Sequence, residues 1–143
     1  MKHKIFYVDD DRFMRSFFST YFEEKYDLTL CESAEHAWKV LQENRPKPDL
    51  ILLDLVLPKQ DGASFLSELK KIEHLAKIPV LILSGTDKSE TRIKMFKIGA
   101  EDFIVKPFNP MELEIKIEKV LSKKAQKIKL NENLIINNLE TTN

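Results

Sequence analysis

The residues best suited to chemistry stand directly after short apolar runs of the chain. They are Asp9 and Asp10, Asp54, Ser84 and Lys106. Carboxylates brought together repel one another, since two unit charges about 4 Å apart interact by about 4 kcal/mol at an effective dielectric near 20. A divalent cation and a lysine ammonium remove that cost, and oxygen ligands favour Mg²⁺ over softer metals. These residue types therefore predict a magnesium site.

A magnesium ion beside a carboxylate, with an ammonium and a hydroxyl facing it, suits phosphoryl transfer. That chemistry depends on positioning and on neutralising charge at the phosphoryl oxygens. Asp54 is the candidate nucleophile, because an aspartate can become an acyl phosphate. Asp9 and Asp10 are then candidate metal ligands, while Lys106 and Ser84 each take a phosphoryl oxygen. The alternative for each residue is a helix cap, a turn or a solvated charge.

Five apolar runs alternate along the chain with segments of helical spacing, and these elements must position the polar residues. The runs are IFYV (5–8), LTLC (28–31), LILL (50–53), VLIL (80–83) and FIV (103–105). Alternation of buried strands and helices predicts an α/β fold with a parallel sheet between two helix layers. A flavodoxin-like winding, (βα)5 with strand order 2-1-3-4-5, brings the carboxyl ends of the strands to one mouth where ligands bind. The fold thus predicts that the separated polar residues converge.

Apolar and aromatic stripes mark the helices, and we assign them to the core. The stripes include Phe13, Met14, Phe17, Phe18, Tyr21 and Phe22 in the first helix, and Ile93 with Phe96 in the fourth. Asn109 and Pro110 are typical of the start of the last helix, and Gly99 of the end of the one before it. Asp11 and Asp61 are expected to cap a helix and a turn.

Length and composition bound the class of protein. The chain of 143 residues has 43% apolar residues and a formal net charge of zero, which predicts one domain without charge-driven affinity for nucleic acid or membrane. Its single cysteine, Cys31, excludes an internal disulfide and suits the core of a protein in a reducing compartment. No apolar run approaches the ~20 residues that cross a bilayer. A soluble, cytoplasmic protein is expected.

The ordered set of motifs resembles the receiver domain of two-component response regulators. The motifs are VDD after the first strand, LLDLVLPKQDG at the third, LILSG at the fourth, GAEDF before the fifth and KPF after it. The resemblance implies phosphotransfer to Asp54 from a phosphohistidine, on a sensor histidine kinase or a histidine phosphotransfer protein, with Mg²⁺ required. It also implies that the backbone carbonyl of Val56 completes the metal site formed by Asp9, Asp10 and Asp54.

The resemblance further implies a conformational switch. Lys106, Ser84 and Gly85 bind the phosphoryl group, and Ser84 moves toward it. The ring of Phe103 follows inward, and the face formed by the fourth helix, the fifth strand and the last helix is remodelled. Phosphorylation then acts as a shift between two arrangements of the same core. Phe103 stands where tyrosine is frequent in the family, so this ring has no hydroxyl to bond outside.

The end of the chain, residues 123–143, differs in character from the receiver-like residues 1–122. One interpretation is an extension of the last helix. The other is that KIKLNENLIINNLE resembles the linker and opening β-strands of the winged-helix effector found in response-regulator transcription factors, so that this effector is truncated here. Members of that subfamily dimerise through acidic residues before the fifth strand and basic residues on the last helix. Those residues are here Glu101, Asp102 and Lys116. A homodimer is expected on that interpretation, and no DNA binding by this chain.

Other functions compete with the receiver interpretation. A phosphatase of the haloacid dehalogenase type fits IFYVDDD, with Asp9 as nucleophile and Asp11 as acid/base, but it leaves Asp54 unexplained. A flavodoxin-type carrier is disfavoured, because three carboxylates repel a cofactor phosphate. An interaction module that is never phosphorylated would not need the full set of residues. On the receiver interpretation the chain is not an enzyme toward other molecules and catalyses only its own phosphorylation and dephosphorylation.

Overall fold

The apolar runs form the strands of one parallel sheet in the computed structural model, which describes residues 1–43 and 45–141. The strands are β1 Lys4–Val8, β2 Asp27–Cys31, β3 Leu50–Asp54, β4 Val80–Ser84 and β5 Asp102–Val105. Every pair of neighbours is parallel, and the order across the sheet is β2-β1-β3-β4-β5. The predicted flavodoxin-like fold is confirmed in strand direction and in strand order.

Helices follow the strands and cover both faces of the sheet. They are α1 Arg12–Phe22, α2 Ala34–Gln42, α3 Gly62–Lys71, α4 Glu73–Ala76, α5 Ser89–Ile98 and α6 Pro110–Thr141. The sequence pattern does not predict the four-residue α4, so the expected fourth and last helices correspond to α5 and α6. Within the described ranges, no helix combines the length and the apolar character that a membrane span requires.

Successive side chains of each strand enter separate cores on the two faces of the sheet. The cause is the period of two along a strand. Ile5 and Tyr7 of β1 share a core with Phe18 of α1 and Leu113 of α6. The intervening residues of the strands share a second core with α2, α3 and α5, and Cys31 is buried there as predicted. The three central strands β1, β3 and β4 are therefore covered on both sides, which accounts for their nearly continuous apolar sequence.

Polar side chains and one glycine set the ends of the helices. Asp11 accepts hydrogen bonds from two backbone N–H groups of α1, Asp61 from one of α3 and Asn109 from one of α6. Gly99 ends α5 with a φ of 126°, in the region that favours glycine. The predicted helix boundaries at Asp11, Asn109 and Gly99 are confirmed, whereas Asp61 caps a helix and not the turn predicted for it.

The aromatic stripe of α1 is only partly a core face. Phe18 and Phe22 are buried as predicted. The exposed members of the predicted stripes are Phe13, Phe17, Tyr21, Ile93 and Phe96. The exposed residues of α1 each stand one position before a residue that faces the sheet, and one position turns a side chain by about 100° around the helix axis. The core assignment is therefore wrong for these five residues, because the sheet covers one side of each helix.

The end of the chain is helical as far as the structure describes it, since α6 continues through Thr141. The expectation of β-strands in this segment is therefore wrong, and the structure agrees with an extension of the last helix. A helix satisfies its own backbone hydrogen bonds, whereas a strand needs the edge of a neighbouring strand. Side chains from 125 to 141 are exposed. The domain division at residue 122 stays a prediction, and residues 142 and 143 lie outside the described residues.

Candidate functional site

Three charged side chains meet at the carboxyl end of the sheet because of the alternation along its strands. Asp9, Asp54 and Lys106 each continue the row of side chains that faces α1 and α6. β1 and β3 are neighbours, with Val8 paired to Leu53, which puts Asp9 beside Asp54. The structure thus brings together residues that are far apart in the sequence.

Lys106 joins the two buried carboxylates. Its Nζ lies 3.0 Å from Oδ2 of Asp9 and 2.9 Å from Oδ2 of Asp54. Asp9 is fully buried and Asp54 is 6% exposed. Moving each such charge out of water costs several kcal/mol, so the group is stable only where its hydrogen bonds are good. One ammonium serves three carboxylates once Asp10 is included, and this part of the molecule carries excess negative charge.

Asp9 is held as a carboxylate by three hydrogen-bond donors. Its Oδ2 accepts from the Tyr7 hydroxyl at 2.7 Å and from Lys106 at 3.0 Å, and its Oδ1 accepts from the N–H of Asp11 at 2.9 Å. Burial raises the pKa of the Asp9 carboxyl, but these hydrogen bonds outweigh burial and hold the pKa below its ordinary value. Arg15 also donates to the backbone carbonyl of Asp9 at 2.9 Å. The side chain is therefore ionised and fixed in orientation.

Asp54 is less well stabilised as an anion than Asp9. Its Oδ1 accepts from the N–H of Val56 at 3.1 Å and its Oδ2 accepts from Lys106. Burial raises the pKa of the Asp54 carboxyl, and these hydrogen bonds offset the rise only in part. Burial lowers the pKa of the Lys106 ammonium, but its hydrogen bonds to Asp54 and Asp9 outweigh burial and raise it. The two carboxylates share the Lys106 ammonium, but the pKa of Asp9 is lowered and that of Asp54 is raised.

The carboxylates also form a candidate metal site. One oxygen from each of Asp9, Asp10 and Asp54 lies within 4.8 Å of the other two. Mg²⁺ takes hard oxygen ligands and keeps several waters. Asp10 is exposed, so the group opens to solvent on that side. The donor set therefore fits Mg²⁺. Val56, whose carbonyl is the expected additional ligand, lies in the loop after β3 and is 75% exposed.

Gly62 allows α3 to begin against the end of β3. A Cβ at this position would lie 2.4 Å from the carbonyl oxygen of Asp54 and 2.8 Å from Cα of Leu55. Both are backbone atoms, so any larger residue must displace the loop that follows Asp54. The N–H of Gly62 donates to the carbonyl of Leu55 at 2.9 Å and closes that loop. Close approach is the reason that glycine is required here.

The expected switch residues lie at the ends of β4 and β5. Ser84 is 2% exposed, and its Oγ accepts from the N–H of Thr86 at 3.1 Å. Gly85 is exposed, and a Cβ there would meet nothing within 4 Å. The ring of Phe103 is already buried, with the guanidinium of Arg92 at 5.7 Å from its centroid. The structure therefore places the Ser84 hydroxyl in a bond with its own loop.

The residues of the expected dimer face are paired within the chain. Lys116 of α6 lies 3.1 Å from Asp102, and Lys123 lies 3.3 Å from Glu101. Pairs that are this exposed contribute about 0–1 kcal/mol each. These charges connect α6 to β5 and its preceding loop.

Sequence reasoning missed two residues that hold Asp9 in place. The apolar-run pattern treats Tyr7 as a core residue only, and no motif includes Arg15. Residues two apart in a strand share a face, so a tyrosine two positions before an aspartate can reach its carboxylate. That spacing is the signal by which Tyr7 could have been found. Nothing in the sequence distinguishes Arg15 from other helix arginines.

The chain is similar to response regulators among known proteins. The family model of the response regulator receiver domain matches residues 5–118. The phosphate regulon transcriptional regulatory protein PhoB of Escherichia coli (strain K12) is 35% identical over 121 residues, which are 85% of this chain and 52% of that protein. The probable transcriptional regulator ycf27 of Porphyridium aerugineum is 35% identical over 134 residues, which are 93% of this chain and 53% of that protein.

The chain spans about half the length of these curated relatives. A solved structure of similar length shares the fold. The receiver domain of Francisella response regulator 1452 has a TM-score of 0.77 and 32% identity, covering 85% of this chain and 98% of that chain.

Proposed function

The chain belongs to the response regulator receiver domain family of two-component systems, and from that premise we propose that Asp54 is its phosphoacceptor. The observation that carries the proposal is the environment of this carboxylate. Asp54 lies at the mouth of the sheet with Lys106 on one oxygen, a backbone N–H on the other and two further carboxylates within metal-binding range. Positive charge and metal ligands are thus arranged around a single candidate nucleophile.

The proposed reaction moves a phosphoryl group from a phosphohistidine to Asp54. The P–N bond breaks, a P–O bond forms to a carboxylate oxygen of Asp54, and the leaving imidazole takes up a proton from solvent. Lys106 neutralises negative charge on the phosphoryl oxygens, which is what such a transfer most needs. Ser84 and Gly85 are proposed to bind another phosphoryl oxygen once the loop after β4 turns toward the group.

Asp9, Asp10 and Asp54 are the proposed ligands of Mg²⁺, together with the backbone carbonyl of Val56. Bound there, the ion supplies further neutralisation of the phosphoryl oxygens. The protein's own residues keep the Asp9 carboxylate ionised and oriented, through the hydrogen bonds from Tyr7, Asp11 and Lys106. Charge balance supports this assignment, since one ammonium does not compensate three carboxylates.

The proposed output surface is the face formed by α5, β5 and α6. Phe103 is already buried, so the switch is proposed to act by changing its neighbours, Arg92 of α5 among them. The proposed phosphoryl donor is a sensor histidine kinase or a histidine phosphotransfer protein. A homodimer through this face would use Glu101, Asp102 and Lys116. Because the relatives are named as transcriptional regulators, we propose a transcriptional output, a cytoplasmic location and no DNA binding by this chain itself.

The geometry does not support Asp9 as the nucleophile of a phosphatase. Asp9 is fully buried and accepts three hydrogen bonds. Asp11, the acid/base of that alternative, is engaged as the N-cap of α1. Asp54, which the phosphatase would leave without a role, shares the lysine.

Incubation with acetyl phosphate and Mg²⁺ tests the proposed function. We expect a base-labile phosphoryl group on the protein, absent without Mg²⁺ and absent in Asp54→Asn. Asp61→Asn is the matched control, because Asp61 caps α3 on the surface and asparagine is also a favoured N-cap residue. Hydrolysis of p-nitrophenyl phosphate that survives Asp54→Asn and disappears in Asp9→Asn would support the phosphatase instead.

A further inference from the structure

The hydroxyl of Tyr7 is a polar group inside an apolar core. The side chain is fully buried, and its ring stacks on Phe18 with the centroids 4.3 Å apart and the planes 4° from parallel. The hydroxyl donates a hydrogen bond of 2.7 Å to Oδ2 of Asp9. A buried hydroxyl is costly unless it is bonded, so this contact fixes Tyr7 and Asp9 relative to each other.

The position of Tyr7 in the strand explains the contact. Tyr7 and Asp9 are two residues apart in and just beyond β1, so their side chains lie on the same face. The stacked ring leaves the phenol few other directions, and its oxygen ends beside the carboxylate. Tyr7 therefore reaches Asp9 from within β1 and the core under α1, whereas Lys106 reaches it from the residue after β5.

The hydrogen bonds on Asp9 leave a defined direction for one more ligand. A carboxylate offers about four lone-pair directions. Tyr7 and Lys106 take two on Oδ2, and the N–H of Asp11 takes one on Oδ1. The remaining direction belongs to Oδ1. A carboxylate held on three sides can neither rotate nor tilt without breaking a buried bond.

We propose that Tyr7 is a positioning residue for Mg²⁺, which orients the Asp9 carboxylate through its hydroxyl and does not touch the ion. This inference rests on the proposed function, since it assumes that Asp9 is a metal ligand. Outer partners that orient metal ligands typically change metal affinity about 10–100-fold when they are removed. We therefore expect Tyr7→Phe, which keeps the stacked ring, to weaken Mg²⁺ binding about tenfold.

Titration with Mg²⁺, followed by the amide chemical shifts of the folded protein, tests the inference. The wild type, Tyr7→Phe and Tyr26→Phe are compared. Tyr26 is the matched control, because it is a buried tyrosine of the same core whose hydroxyl has no hydrogen-bond partner among the described residues. We expect an Mg²⁺ dissociation constant about tenfold higher in Tyr7→Phe, and one equal to that of the wild type in Tyr26→Phe.

The outcomes separate this inference from the proposed function. No Mg²⁺ binding by the wild type would contradict both. Binding by the wild type with an equal dissociation constant in Tyr7→Phe would overturn only the role of Tyr7, even if that variant unfolds more easily. Should Tyr7→Phe fail to fold, the hydroxyl proton of Tyr7 in the wild type decides. A resonance that persists at saturating Mg²⁺ supports the role, and one that Mg²⁺ abolishes contradicts it.

Discussion

The mouth of the sheet, at the carboxyl ends of its strands, and the extension of α6 from residue 125 to 141 differ in their tertiary contacts. At the mouth, Asp9, Asp54 and Ser84 are buried polar residues whose side chains are hydrogen-bonded, and Lys106 after β5 bonds both carboxylates. In the extension, side chains from 125 to 141 are exposed and the helix continues through Thr141. The first region is fixed by tertiary contacts and the second by local helix geometry.

This difference shows why the chemistry is placed where it is. A charge cluster can be buried only where several elements supply bonds to it, since each uncompensated charge would cost several kcal/mol. The carboxyl ends of four strands meet that condition. An isolated helix stabilises itself only weakly, because most helix stability in proteins comes from its contacts with the rest of the fold.

Gly62→Ala should have the largest effect on the mouth. The added Cβ would fall 2.4 Å from the carbonyl oxygen of Asp54, so the loop after β3 must move. We expect a loss of about 3 kcal/mol in the free energy of unfolding, measured with urea. Gly85→Ala is the control, because nothing lies within 4 Å of its Cβ position. Equal stability of the two variants would contradict the close approach.

Mg²⁺ should stabilise the folded protein through the mouth alone. At 100 times the dissociation constant, a ligand of the folded state adds about 2.7 kcal/mol to the free energy of unfolding. The comparison is urea unfolding with and without Mg²⁺. Asp9→Asn should lose most of this increase, because it removes a charged ligand. An increase of the same size in Asp9→Asn would place the ion elsewhere.

Asp54→Asn should raise the free energy of unfolding at pH 7, because it removes a buried charge that is only partly compensated. The pKa of the Asp54 carboxyl is raised in the folded state, so its charged form costs stability above that pKa. As pH falls through the raised pKa toward the unfolded value of about 3.9, the wild type gains a proton and the difference should narrow. If the difference in the free energy of unfolding between the wild type and Asp54→Asn widens on acidification, the pKa of Asp54 is not raised in the folded state.

Asp61→Asn should change the free energy of unfolding in the opposite direction to Asp54→Asn. Hydrogen bonds from the start of α3 hold the pKa of Asp61 below its ordinary value, so its charge contributes stability above the unfolded pKa that is lost as pH falls through the folded one. We expect a small loss of stability near pH 7, which disappears on acidification.

Removal of residues 128–141 should have the smallest effect. Every side chain in this segment is exposed, so we expect a change below about 0.5 kcal/mol in the free energy of unfolding. Hydrogen exchange should be fast in the same segment of the full chain and slow in β3. Slow hydrogen exchange in residues 128–141 would contradict this expectation, because it would show that the segment is packed against another part of the protein or a second copy.

The sequence predicts the sheet and the convergence of its charged ends, because both follow from local patterns. A strand shows as an apolar run, and parallel winding puts all carboxyl ends together. It predicts less well which aromatic residues of α1 are buried. Phe13 and Phe17 are apolar like Phe18, but only the side of the helix that faces the sheet is covered. The bond between Tyr7 and Asp9 depends on ring orientation in the core, which no run of residue types contains.

Locating the phosphoryl group on the chain decides whether Asp54 is the phosphoacceptor. The protein is treated with acetyl phosphate and Mg²⁺, reduced with borohydride to convert the acyl phosphate to a stable alcohol, and digested for mass spectrometry. We expect the reduced residue at Asp54 and at no other aspartate. Reduction at Asp9 or Asp10 instead, with Asp54 unmodified, would contradict it.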